Sequence, residues 1–143
     1  MRRLMTTALL APALLAACTP TPAQTARSLD QAAATQAELD RVLAGFTPEP
    51  ASGGCFSSSL NRGGSQGTKA YGKTLLFTVG RNLIYRTDTQ GGCERAGRND
   101  ALVTSTPIGR NCAGDIATTF DTTARIQTGS CAFGPFVAYR RTK

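Results

Sequence analysis

The chain has 143 residues, with 16 basic and 9 acidic side chains, a formal net charge of +7, and neither histidine nor tryptophan. After an export signal is subtracted, this length is enough for one domain at most. The absence of histidine excludes a Ser-His-Asp or Cys-His catalytic site and argues against a zinc site. We therefore expect no metal and no cofactor.

The N-terminus has the pattern of a bacterial export signal. Arg2 and Arg3 precede an apolar run of about fourteen residues, shorter than the ~20 that a spanning helix needs. The run ends in LAAC at 15–18, which resembles the lipobox of bacterial lipoproteins. The resemblance implies that residues 1–17 are removed as a signal peptide and that Cys18 becomes the acylated anchor. Thr19, in place of the aspartate typical of inner-membrane retention, implies the periplasmic face of the outer membrane. The alternative is ordinary cleavage elsewhere, with Cys18 a free thiol.

Three segments are predicted between the anchor and the first cysteine of the mature domain. Residues 18–27 are rich in proline and threonine, which is typical of a flexible tether. Residues 28–45 are predicted to form a helix, with Ser28 as N-cap and Gly45 just after the last turn. Its apolar stripe favours docking against its own domain over binding a partner. Residues 46–54 contain two prolines and two glycines and are predicted to be a linker.

Residues 55–143 show the pattern of a β-domain. Short runs rich in β-branched and aromatic residues alternate with glycine-containing turns, and there is little helical periodicity. The fold class predicted is mainly β, a small closed or nearly closed antiparallel barrel or sandwich of about six strands preceded by one helix. The predicted strands are 75–79, 83–87, 101–106, 116–120, 124–128 and 136–139.

Four cysteines remain once Cys18 is assigned to the anchor. An even number of cysteines in an exported chain predicts two disulfides, and three pairings are open. We favour the nested pairing of Cys55 with Cys131 and Cys93 with Cys112, because the first and last strands of a closed meander are neighbours.

Few side chains suggest a chemical site. Asp88, Asp100, Asp115 and Asp121 could in principle form a glycosidase pair, but each stands at a predicted turn, where aspartate usually bonds the backbone. No catalytic residue is assigned. A tentative ligand-binding face, for stacking sugars or holding anions, consists of Tyr85, Tyr139, Arg140 and Arg141. Buried tyrosines with solvated arginines are the simpler alternative.

Several short motifs occur between residues 43 and 141: LAG at 43–45, Cys55 and Phe56, Tyr85, Cys93, CAGD at 112–115 and FGPFVAYRR at 133–141. This set resembles a family of uncharacterised small proteobacterial envelope lipoproteins with a disulfide-linked β-domain. The resemblance covers roughly residues 39–141. It implies the domain boundary and the presence of disulfides, but no activity and no catalytic residue.

Charge distribution provides the only indication of a partner. Residues 55–143 hold twelve basic and five acidic side chains, whereas residues 19–54 are slightly acidic. A basic domain favours an anionic neighbour, such as lipid headgroups or an envelope polymer, and the expected compartment makes nucleic acid a poor partner. We expect a non-enzymatic envelope lipoprotein with a binding or supporting role. The alternatives are an inhibitor of a foreign hydrolase such as lysozyme, whose usual basic charge argues against it, and a His-free hydrolase. The oligomeric state is left open.

Overall fold

The computed structural model describes residues 19–49, 54–57, 67–106 and 108–142. The protein is mainly β, with one N-terminal helix followed by antiparallel strands, as the sequence predicts. The predicted signal peptide and Cys18 lie outside the described residues. The elements in chain order are α1 (Pro22–Leu43), β1 (Phe46–Pro48), β2 (Cys55–Ser57), β3 (Thr68–Tyr71), β4 (Thr74–Val79), β5 (Leu83–Gly91), β6 (Asp100–Thr104), β7 (Arg110–Cys112), β8 (Ile116–Asp121), β9 (Gln127–Phe133) and β10 (Val137–Arg141).

Helix α1 begins six residues earlier than predicted. Its N-cap is Thr21, whose hydroxyl accepts a hydrogen bond from the Gln24 backbone N–H, while the Gln24 side chain accepts one from the Thr21 N–H. Pro22 at the first helical position has the backbone angle that a helix requires. Ser28, the predicted N-cap, is inside the helix and donates to the Thr25 carbonyl. The predicted flexible tether at 18–27 is therefore largely helical, because the capping box built on Thr21 precedes the one built on Ser28. Gly45 follows the helix with φ +79°, as a glycine in this position should.

Eight strands form one antiparallel sheet around the long strand β5. Strands β4 and β10 pair with opposite sides of β5, over residues 83–88 and 83–86, and β9 pairs with its last three residues. The sheet continues from β9 through β8 to β6, and from β10 to β1, while β3 pairs with β4. Strands β2 and β7 form a separate two-stranded ribbon. The sheet does not close into a barrel.

Two further predicted boundaries are wrong. The predicted linker at 46–54 includes strand β1, which pairs with β10 at the other end of the chain, with Phe46 opposite Arg141. The predicted strand at 124–128 is displaced to Gln127–Phe133. Residues 121–126 instead form a turn, in which the Asp121 carboxylate accepts hydrogen bonds from the backbone N–H groups of Thr123 and Ala124.

The core is divided between the two faces of the sheet. The first part, which we call the ribbon cluster, lies on the face that receives Phe56 from β2; its buried members are Phe56, Ala70, Leu75, Phe77, Cys93, Ala96, Ala117, Cys131, Phe133 and Phe136, with Tyr85 and Leu102 packed against them. The second part, the helix cluster, lies under α1; its buried members are Leu39, Tyr71, Leu76 and Ile84, with Leu43, Phe46 and Tyr139 packed against them. Strand alternation separates the clusters, since neighbours such as Leu76 and Phe77 point to opposite faces.

Both disulfides form, but the predicted nested pairing is not the one observed. The bonds join Cys55 to Cys112 and Cys93 to Cys131. The prediction placed the first strand of the domain beside the last, whereas β2 pairs with β7, so that Cys55 lies opposite Cys112. Cys131 lies opposite Gly91, two residues from Cys93. Two disulfides indicate an oxidising compartment outside the cytoplasm.

Candidate anion-binding rim

Four arginines lie at the end of the sheet where β5 begins and β10 ends, and we call them the basic rim: Arg81, Arg110, Arg140 and Arg141. Antiparallel pairing explains this placement. Arg140 lies opposite Leu83, so the end of β10 adjoins the β4–β5 turn that carries Arg81. Arg110 arrives from the separate ribbon, at the first position of β7. The rim is therefore assembled from three distant parts of the chain.

The most enclosed cavity at this end has a volume of about 280 Å³ and lies between the ribbon and β10. Phe56, Tyr85 and Phe136 provide its aromatic floor. The Phe56 ring stacks on Tyr85 with centroids 5.1 Å apart and contacts Phe136 at 4.8 Å. Phe56 and Phe136 are buried and hold Tyr85 in place, so Tyr85 is the one ring of the floor that is partly exposed. The polar groups of the wall include Arg110, Arg140 and Glu49.

Positive charge exceeds negative charge around this cavity. Arg140 donates from its Nε to the Glu49 carboxylate, so that pair is neutral overall. Arg110 is exposed and has no carboxylate partner within the part of the chain that the structure describes. An anion entering the cavity would therefore meet one uncompensated guanidinium beside a neutralised one. A planar guanidinium suits carboxylate and phosphate groups because it can donate two parallel hydrogen bonds.

A second cavity, of about 490 Å³, opens on the other face of the sheet beside the end of α1. Val42, Phe46 and Ile84 form its apolar wall, with Arg81 and Arg141 at its mouth. Arg141 is held in place, since its guanidinium lies 4.6 Å from the centroid of the Phe46 ring and its Nε donates to the Arg81 carbonyl. Rim cations thus occur on both faces of this end of the sheet.

The structure brings together only half of the tentative ligand-binding face. Tyr85 and Arg140 line the first cavity, whereas Tyr139 packs in the helix cluster and Arg141 lies beside Phe46. Register explains the division: Tyr85 is opposite Ala138, and Arg140 is two residues further along β10, on the same face. Tyr139 and Arg141 occupy the alternate positions. The four residues therefore do not form one surface.

Sequence reasoning did not identify Arg110 and Glu49 as part of the site. Glu49 stands in the predicted linker, and its backbone N–H donates to the Ala138 carbonyl, which fixes it beside β10. Arg110 is brought to the cavity by the pairing of β7 with β2. No local pattern in the sequence indicates either long-range contact.

The four aspartates singled out in the sequence all have structural partners. Asp115 and Asp121 bond the backbone at turns, as predicted; the Asp115 carboxylate accepts from the Cys112 N–H at 2.8 Å. Asp88 and Asp100 are not turn residues, since they lie in β5 and at the start of β6. Asp88 accepts from the Thr74 hydroxyl and from Arg86.

Asp100 is the one buried carboxylate among them, with a side chain that is 0% exposed. Arg95 donates to both of its oxygens, and the Thr128 hydroxyl donates to it as well. The hydrogen bonds from Arg95, followed by that from Thr128, hold the pKa of Asp100 below its usual value. An ionised, fully bonded and buried carboxylate of this kind is a structural group and has no access to a substrate.

No family model, curated protein or solved structure matches this chain. Within the described ranges, no three metal-binding side chains are grouped together. No helix in the same ranges is long and apolar enough to span a membrane.

Proposed function

We propose that this chain is a non-catalytic, lipid-anchored protein of the cell envelope whose basic rim binds an anionic envelope polymer. The observation that carries the proposal is the first cavity, in which an aromatic floor lies beneath Arg110 and the Arg140–Glu49 pair. A pyranose ring can contact Tyr85, the partly exposed ring of this floor, while its carboxylate bonds a guanidinium. A cavity of about 280 Å³ suits one such sugar unit, because pockets for larger molecules are typically several hundred Å³ or more.

The location proposed is the periplasmic face of the outer membrane. Its support comes from the lipobox that ends at Cys18, from Thr19 after it, and from disulfides that require an oxidising compartment. A multiply acylated cysteine would hold the protein on a membrane without a spanning helix.

The direction of α1 favours a polymer over the headgroups of the protein's own membrane. The helix begins four residues after Cys18, and its 22 residues span about 33 Å. Val42, near its C-terminal end, lines the cavity that holds Arg81 and Arg141. The rim is therefore at the end of α1 far from the anchor, so a helix that stands upright on the membrane would hold the rim well beyond the Debye length of about 8 Å at physiological salt.

Binding of polygalacturonate, a carboxylated sugar polymer, tests the proposal. Arg110→Gln removes the uncompensated guanidinium and should weaken binding about tenfold, because hydrogen bonds to charged groups contribute roughly 1.5–3 kcal/mol. The matched control is Arg27→Gln, which removes the same charge from the exposed part of α1 and should leave affinity unchanged within about twofold. The dissociation constants are to be measured by calorimetry at physiological salt on the exported chain in a mild detergent.

Neutral dextran and phosphatidylglycerol vesicles complete the experiment. Equal binding to dextran, or equal losses in the two variants, would contradict a site on the rim. Stronger binding to vesicles than to polygalacturonate would replace the polymer with a lipid partner. Turnover of an envelope polymer, abolished by substitution of one acid, would contradict the non-catalytic assignment.

A further inference from the structure

The second cavity, on the opposite face of the sheet from the first, has an apolar wall with two side chains that reach solvent. Val42, near the end of α1, is 36% exposed, and Phe46 in β1 is partly exposed. The third apolar residue of the wall, Ile84, is buried in the helix cluster. Because only two side chains offer apolar surface to a ligand, the wall suits one narrow hydrocarbon chain better than a lipid with two.

Arg141 is held at the mouth of this cavity by the protein alone. Its backbone N–H donates to the Asn82 carbonyl at 3.0 Å, and its Nε donates to the Arg81 carbonyl at 3.1 Å. Its guanidinium lies 4.6 Å from the centroid of the Phe46 ring. These contacts fix the guanidinium before any ligand arrives, which lowers the entropy cost of binding. They also place a positive charge directly against the apolar wall.

The positive charge at this mouth is not compensated. Neither Arg81 nor Arg141 forms an ion pair with any residue that the structure describes, and no acidic side chain is among the residues that line the cavity. Arg140, by contrast, is paired with Glu49. A purely apolar ligand would leave both guanidiniums unused, and a simple anion would leave the wall in water. The ligand that complements both features has an anionic head and an apolar tail.

We propose that the second cavity binds a single-chain carboxylate amphiphile of the fatty-acid class. Its carboxylate would accept hydrogen bonds from Arg81 and Arg141, and its chain would lie against Val42 and Phe46, where each buried methylene adds affinity. The volume of about 490 Å³ is typical of small-molecule sites, which span roughly 300–1,000 Å³.

The contact between Arg141 and Phe46 favours a fatty acid over a phospholipid with one chain. Because the guanidinium lies on the ring itself, the charged head of the ligand and the first carbons of its chain must be adjacent. They are adjacent in a fatty acid, whereas a glycerol group separates them in the phospholipid. The site is independent of the proposed polymer site, since Arg110 does not line this cavity and neither Arg81 nor Arg141 lines the first.

Methyl NMR of the exported chain in a mild detergent, titrated with octanoate at neutral pH, tests the proposal. The methyl groups of Val42 and Ile84 should shift until they saturate, with a dissociation constant in the millimolar range expected for about ten heavy atoms. Val103 is 50% exposed and outside this cavity, so its methyl groups report non-specific effects of octanoate and should stay unchanged. Acetate, which lacks the chain, and octylammonium, which reverses the charge, should each bind at least about tenfold more weakly.

Arg81→Gln is the main variant, because Arg81 is exposed and forms no ion pair in the described ranges, so its replacement should leave the fold intact. It should raise the dissociation constant for octanoate about tenfold, and Arg141→Gln should do the same. The matched control, Arg27→Gln, should leave the constant unchanged within about twofold. Circular dichroism and thiol counting are to establish that each variant is folded with both native disulfides.

Three results would overturn the proposal: no saturable shift in the wild-type chain, equal affinity for acetate or octylammonium, or equal effects of Arg81→Gln and Arg27→Gln. Each is separate from the binding of polygalacturonate, which depends on Arg110, so the two sites can fail independently.

Discussion

The two faces of the sheet are covered in different ways. The ribbon cluster contains ten buried residues, six ring–ring contacts and the buried Cys93–Cys131 bond. The helix cluster contains four buried residues, of which α1 provides one, Leu39. Its ion pair, between Glu38 and Lys69, is nearly half exposed on both sides. The domain is therefore held together mainly on the ribbon face, while the helix is attached through a few contacts near its C-terminal end.

The largest expected effect is loss of the buried disulfide. In the chain-entropy model, bonds spanning 38 and 57 residues each stabilise by about 4 kcal/mol, so loop length hardly distinguishes them. Replacing Cys93 and Cys131 with alanine also removes buried sulfur from the ribbon cluster, whereas Cys55 and Cys112 are half-buried. We expect the first double variant to lose more stability in urea unfolding. A larger loss of stability in the variant that lacks Cys55 and Cys112 would contradict this expectation.

The next effect concerns the attachment of the helix. Leu39→Ala should lower the free energy of unfolding by about 2–5 kcal/mol, the usual range for a buried leucine. Leu29→Ala, on the exposed part of α1, is the control and should change stability by less than about 0.5 kcal/mol. Amide exchange should show faster exchange in α1 with little change in β4 and β5. Equal acceleration in the strands would mean that the two clusters unfold as one unit.

The smallest expected effect is a pH dependence of the stability that comes from Asp100. Because the pKa of Asp100 is lowered in the folded protein, its contribution is present above the unfolded value, near pH 4, and is lost as pH falls through the folded pKa. Asp100→Asn should therefore destabilise the protein at pH 7, and this difference should shrink progressively below about pH 4. Glu38→Gln, at the exposed pair, should show a weaker dependence because solvent screens that pair. Urea midpoints measured from pH 7 to 2.5 check this; a constant difference for Asp100→Asn would contradict it.

Local sequence signals predicted the fold class but not the arrangement around the ribbon. The β4–β5 hairpin, the glycine after α1 and the turn roles of Asp115 and Asp121 depend on nearby residues, and each was predicted. The disulfide pairing and the first cavity depend on contacts between β2, β7 and β10, which are far apart in the chain. Such contacts depend on how the whole chain packs, and the local hydrophobic periodicity of the sequence does not predict them.

The start of α1 at Pro22 was also not predicted. Two capping patterns occur in this segment, and the one at Thr21 includes a proline suited to the first turn. The proline and threonine content of residues 18–27 favoured a tether, yet the structure shows a helix from Pro22 whose first thirteen residues are exposed. Capping and intrinsic propensity therefore outweigh burial over this stretch.

The two disulfides interleave along the chain, since Cys93 falls between Cys55 and Cys112 while Cys131 falls beyond them. A protease that cuts once between positions 55 and 93 and again between 112 and 131 would leave three pieces, each joined to the next by sulfur. A nested arrangement would release the middle piece after the same two cuts. Interleaving thus lets a molecule that has been nicked twice keep all of its strands together.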